Sequence, residues 1–144
     1  MKKLNKKGFT LAELLIVVAI IAVLVAISIP IFTAQLNRAK YATDEANARS
    51  IYSEMVADYL ANGGDQKLTL NGGSNATVTA GAADQKVLVK YADGSTNSYN
   101  FTGIVAITFT TGDVNNYPKV EIAECKQAGA ASVVFGNGNP APSN

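Results

Sequence analysis

Glu13 is the side chain whose position demands a chemical explanation first. It stands directly before fourteen consecutive apolar residues, Leu14 to Ile27. A charge carried into a membrane at that point costs roughly 2.5–3.5 kcal/mol, so this carboxylate needs either the interface or a cation. Cations lie close by in sequence: Lys2, Lys3, Lys6 and Lys7 precede it, and Gly8 marks the seam where lysine-rich sequence turns apolar. Elsewhere the reactive residues are sparse. Cys125 is the one cysteine, so it has no intramolecular disulfide partner and reads as a small buried residue, and histidine is absent. This composition supports neither a zinc, haem or iron–sulfur site nor a Ser–His–Asp or Cys–His set; no catalytic residue, metal or cofactor is expected. Asp113-Val114-Asn115-Asn116, with Asp84 and Asp93 elsewhere, offers oxygen atoms to a calcium ion. The spacing matches no EF-hand loop, and turn formation is the expected duty of these residues. Asn75-Ala76-Thr77 and Asn100-Phe101-Thr102 are N-x-T sequons, a pattern that also arises easily by chance.

The segment that carries Glu13 has the order of a secretory signal or signal anchor, positive charge and then an apolar run. Lysines ahead of the run should stay cytoplasmic and place the rest of the chain across the membrane. Small-x-small sites such as Ala26-Ile27-Ser28 exist, but they lie inside hydrophobic sequence that continues through Ile29, Ile31 and Phe32. Leu14 to Phe32, broken only by Ser28 and Pro30, spans about 28 Å at helical rise, close to the hydrocarbon thickness. A retained anchor is expected. Without the four leading lysines, 8 basic groups face 11 acidic ones, a net of −3. A mildly acidic chain has no basic stripe for a phosphate backbone, so no bulk nucleic-acid binding is expected.

Lys6-Lys7-Gly8-Phe9-Thr10-Leu11-Ala12-Glu13-Leu14-Leu15 resembles the leader junction of type IV prepilins, a family that includes type II secretion pseudopilins and competence pilins. The close match covers about residues 6–32. The resemblance implies a cytoplasmic leader, residues 1–8, cut after Gly8 by a membrane prepilin peptidase that also N-methylates the new terminus, Phe9. It implies that Glu13, together with the Phe9 amine of a neighbouring subunit, is the assembly residue. It gives Pro30 the position of a helix-disrupting proline. The implied partners are further copies of the chain in a helical filament, the prepilin peptidase and N-methyltransferase, the inner-membrane pilus assembly machinery, and lipid before assembly. A disulfide in the C-terminal region is common in the family, and Cys125 alone cannot make it.

The implied role is a non-enzymatic structural subunit of a surface pilus for adhesion or motility. A secretion pseudopilin or a competence pilin is the alternative within the family, and a simple membrane-anchored binding domain the alternative outside it. The implied location is a single-pass membrane protein with its head outside the cytoplasm, then an extracellular filament.

The rest of the chain reads as α+β and pilin-like. Residues 9–32 form an apolar helix, with Ala12, Ala19, Ala22 and Ala26 as a small-residue seam. Pro30 lacks an amide proton, so the helix should kink or loosen near residues 26–30. Residues 33–61 form an amphipathic half that packs on a small antiparallel sheet. Its apolar groups recur at Ala48, Ile51/Tyr52, Met55/Val56 and Tyr59, with Arg38, Lys40, Asp44, Glu45, Arg49, Glu54 and Asp58 on the remaining faces. Asn62-Gly63-Gly64 is the stop signal.

Residues 62–144 form a β-rich head with a loose tail from Gly136. Lys67–Leu70 and Ala76–Thr79 flank Asn71-Gly72-Gly73-Ser74 as a hairpin. Lys86–Tyr91 alternates, with Leu88 in the polar register, and ends at the turn Asp93-Gly94-Ser95. Further strands are expected at 97–101, 104–111, 119–125 and 131–135, in a sheet of about four strands. In the second of these Val105, Ile107 and Phe109 share one face. Tyr91, Tyr99 and Tyr117 read as core or interface residues.

Overall fold

The computed structural model describes residues 8–82, 85–113, 115–123 and 132–136. Two units divide the chain, the first ending at Gln35 and the second beginning at Leu36. Helix α1 (Leu11–Ala61) enters both.

In the first unit nothing among the described residues covers α1. Every large apolar side chain from Phe9 to Phe32 is exposed, Phe9 at 91%. Burying one such side chain is worth about 1.5–3 kcal/mol, so an uncovered run of this length is untenable in water and must be met by lipid or by other chains. The helix is long and apolar enough to cross a membrane. Its polar atoms are satisfied internally, as a lipid environment requires: Ser28 Oγ donates to the Leu24 carbonyl at 2.7 Å and Thr33 Oγ1 to the Ile29 carbonyl at 3.0 Å. Pro30 sits inside the helix, which continues on both sides of it.

In the second unit the same helix buries one stripe: Asp44, Ala48, Ile51, Met55 and Tyr59. Steps of four, three, four and four residues keep these positions on one face. The helix ends where expected. Gly63 and Gly64 take φ of +67° and +94°, and the Gly64 amide donates to the Tyr59 carbonyl at 2.9 Å, satisfying an end-of-helix acceptor.

Among the described residues, seven strands follow in two antiparallel sheets. They are β1 (Thr69–Leu70), β2 (Asn75–Val78), β3 (Gln85–Lys90), β4 (Thr96–Phe101), β5 (Ile107–Thr110), β6 (Lys119–Ile122) and β7 (Val133–Phe135). One sheet has the order β1-β3-β4 and the other β2-β5-β6-β7. Their inner faces and the stripe of α1 share one cluster, in which Ala48, Ile51 and Met55 meet Val87, Val89, Ile107, Phe109, Val120 and Ile122. Phe101 of β4 and Phe109 of β5 carry the contact across the two sheets, with ring centroids 5.9 Å apart. Strand alternation decides these faces. In β3 Val87 and Val89 are buried while Leu88 is 42% exposed, and Val105, Ile107 and Phe109 all point inward, as the sequence pattern requires.

The expected hairpin between Lys67–Leu70 and Ala76–Thr79 is corrected. Its turn exists: Asn71 and Gly72 have φ of 50° and 81°, and Leu70 and Gly73 exchange backbone bonds at 2.8 and 2.9 Å. Asn-Gly supplies the two positive-φ positions that a tight two-residue turn demands. After that one bridge the chain leaves for the other sheet, so β1 pairs with β3 and β2 with β5. The single expected sheet is two sheets, of three and four strands. The strand read at 104–111 begins at Ile107, that at 119–125 ends at Ile122, and that at 131–135 is Val133–Phe135. Cys125, Asp84, Val114 and the tail from residue 137 lie outside the described residues.

Three acidic residues of α1 depart from the expectation of outward charge. Asp44 is fully buried, within the core stripe. It accepts from the Thr102 amide at 2.9 Å and from Thr102 Oγ1 at 2.7 Å, which ties the helix to the end of β4. Asp58 accepts the Lys67 and Leu68 amides at 2.7 and 2.9 Å. Glu54 Oε1 accepts Asn97 Nδ2 and the Tyr99 hydroxyl, both at 2.7 Å. Carboxylates can sit at the helix–sheet seam here because strand ends and turns present unpaired donors to them. Asp44→Ala strips two donors of a charged acceptor and should cost about 1.5–3 kcal/mol. The check is the denaturant midpoint followed by tyrosine fluorescence; Asp44→Asn, which still accepts, should lose less, and equal losses would contradict this role.

The Glu54 clasp also sets an alkaline limit. Burial, reinforced by the nearby Glu54 carboxylate, pushes the Tyr91 and Tyr99 hydroxyls up to about 12, and burial also raises Tyr59. Above the ordinary tyrosine range the unfolded chain gives up protons that the folded one keeps. Stability should therefore fall as pH rises from about 10 toward 12. Phenolate absorbance should show Tyr59, Tyr91 and Tyr99 titrating late, and Glu54→Gln should bring Tyr91 and Tyr99 down; titration of Tyr91 and Tyr99 near the ordinary value would contradict the clasp.

Candidate site at the N-terminal junction

Thr10 is the last residue before α1, and Glu13 is the third residue within it. That spacing, Thr-x-x-Glu, lets each side chain reach the other's backbone. Both halves of the exchange are present. Glu13 Oε2 accepts the Thr10 amide at 2.8 Å and the Thr10 hydroxyl at 2.7 Å. In return Thr10 Oγ1 accepts the Glu13 amide at 3.3 Å. The Leu14 amide donates to the Thr10 carbonyl at 3.3 Å, closing the first turn. A carboxylate in the first turn also meets the positive end of the helix dipole. Glu13 is thus held by its own helix through one oxygen, while Oε1 makes none of these bonds.

Gly8 and Phe9 lie just outside this cap. A methyl group added at Gly8 would meet no atom of the described residues within 4 Å, and its φ is not in the left-handed region. The fold places no demand for glycine at position 8. Phe9, Glu13, Leu14, Ile16 and Val17 line an open groove of about 470 Å³. A second notch, of about 320 Å³, lies at Ala19, Ile20, Val23 and Leu24, where the small side chain of Ala19 leaves space between larger neighbours. The exposed rod therefore offers a carboxylate beside an apolar groove, followed by a notch at a small residue, where a second helix could approach closely.

Residues 3–29 match the family model described as the prokaryotic N-terminal methylation motif. These residues carry the signature of type IV prepilins. The methylation motif spans Gly8, Phe9, Thr10 and Glu13 and most of the apolar run, so the capped turn and the exposed rod are its physical form. It marks the chain as a type IV pilin-like substrate of prepilin peptidase, and proteins of that type are structural rather than catalytic. No curated protein and no solved structure matches the chain.

The structure sets Phe9 and Glu13 of the motif along one groove, with Gly8 outside the capped turn. Pro30 lies seventeen residues beyond Glu13 and takes no part in that turn. Thr10 is the capping residue that charge and periodicity do not single out, although Thr-x-x-Glu ahead of an apolar run is itself a capping signal. Asp113, weighed above as an oxygen donor, accepts the Asn115 and Asn116 amides at 2.8 and 3.0 Å, which is turn-forming work.

Proposed function

We propose that the chain is the structural subunit of a type IV pilus, cut between Gly8 and Phe9, N-methylated at Phe9 and polymerised through α1 into a surface filament for adhesion or motility. The observation that carries this reading is the coincidence of the methylation motif with an apolar helix left uncovered among the described residues. Before assembly the helix sits in lipid. During assembly it exchanges lipid for the helices of other copies, an exchange driven by close packing, because lipid tails are as apolar as the side chains they leave.

Glu13 sets register in this scheme. Cleavage creates an amine at Phe9, and methylation leaves it cationic. In a bundle that excludes water the attraction between that amine and a neighbour's Glu13 is strong, but desolvation offsets much of it. The pair therefore selects which axial stagger is allowed more than it adds affinity. The Thr10 cap fixes the carboxylate rotamer in advance and leaves Oε1 for the amine. Pro30 removes the donor that the Ala26 carbonyl would otherwise have, giving the rod a place to bend as subunits enter.

Shearing filaments from producing cells tests the assignment. The mature chain should be the dominant protein of the sheared fraction, and its deletion should abolish adhesion or surface motility. A chain missing from that fraction, with its deletion blocking enzyme export or transformation instead, would assign it to a secretion or competence machine.

A further inference from the structure

The register of the three-stranded sheet gathers an outward face that the filament reading does not use. Pairing of β3 with β4 sets Lys86 opposite Asn100, Leu88 opposite Ser98 and Lys90 opposite Thr96. All six are exposed, and by strand alternation all six share the face turned away from the core. None is a carboxylate. Among the described residues, ion pairs engage Lys119 and Arg49, not Lys86 or Lys90. The backbone positions of the two lysines flank Leu88 about 13 Å apart along the strand. Nearby Asp93 is occupied by the Ser95 amide and hydroxyl at 2.8 and 2.6 Å.

We propose that this face binds acidic polysaccharide. Two separated lysines attract a chain of spaced carboxylates. Hydroxyl and amide groups at Thr96, Ser98 and Asn100 match sugar hydroxyls, and Leu88 gives the apolar side of a sugar ring a surface to cover. A nucleic acid is a poorer fit. It asks for a dense basic stripe and for aromatic rings to stack on. The tyrosines of this sheet are committed elsewhere, Tyr99 to Glu54 and Tyr91 to Asn97. One copy of the face binds weakly; the gain from repeating it along a polymer rests on the filament reading above.

The test measures alginate binding by the mature subunit in detergent and by sheared filaments, with neutral dextran and duplex DNA as comparison ligands. Expected is salt-sensitive alginate binding, negligible dextran binding, and a drop of roughly tenfold or more for Lys86→Gln/Lys90→Gln. Leu88→Ser should weaken binding without changing its salt dependence. No alginate binding, binding undiminished in the double variant, or a preference for DNA lost in that same variant would each overturn the proposal. Loss of the polymer gain alone, with subunit binding still abolished by the double variant, supports this face while counting against the filament.

Discussion

Glu13→Ala should leave leader cleavage and the folded head intact and reduce filament yield to a small fraction of wild type. The hydrogen bonds that Glu13 makes run to Thr10 in the same turn, so the head is untouched by its removal. Membrane insertion should if anything become easier, because a charge costing roughly 2.5–3.5 kcal/mol is gone. What disappears is the group proposed to distinguish one axial stagger from the next along an otherwise greasy rod.

Two companions separate the charge from the cap. Glu13→Gln still accepts from Thr10 but offers a cationic amine no opposite charge, so its yield should be nearly as low as that of alanine. Thr10→Ala keeps the charge and removes a capping bond worth about 0.5–2 kcal/mol, so its yield should fall much less. Yield is read by quantifying subunit in the sheared fraction against total mature subunit. Normal filaments from Glu13→Gln would contradict register by charge.

Gly8→Ala should block or strongly slow maturation while changing nothing in the folded chain. Open space around position 8 and the absence of a positive φ mean that alanine is accommodated without strain. Any effect must then arise in a pocket that another protein closes around the peptide bond. One extra methyl in a close-fitting site is worth roughly 10–200-fold in specificity. Pulse-chase of precursor to mature form should show slowing in that range or beyond. Processing at the wild-type rate would mean that cleavage falls elsewhere.

The junction was largely legible in the sequence, because its physics is local: a lysine cluster, an abrupt apolar run and one acid are all adjacent in the chain. The helix was legible too, from alanine content, three-to-four spacing and the Gly63-Gly64 stop. What escaped depends on residues distant in sequence. A lone Asp44 among other charges reads as a solvated residue, and only the fold reveals that Thr102, fifty-eight positions away, supplies both donors. The Asn71-Gly72 turn was identified by its own chemistry, yet the next residues leave their neighbour strand for another sheet. Nothing in the alternation of Asn75–Val78 states which strand it will pair with, because period two fixes a face and leaves the partner open. The strand at 104–111 was read three residues too early: Val105 keeps the buried parity there although ladder pairing starts only at Ile107.

The fate of the first eight residues decides between a processed filament subunit and a plain anchored protein, and the intact mass of the native chain reports it directly. Processing predicts a chain beginning at Phe9, lighter by residues 1–8 and heavier by about 14 Da for one methyl group. A native chain at the full 15.0 kDa, with its lysine-rich front still attached, would contradict it.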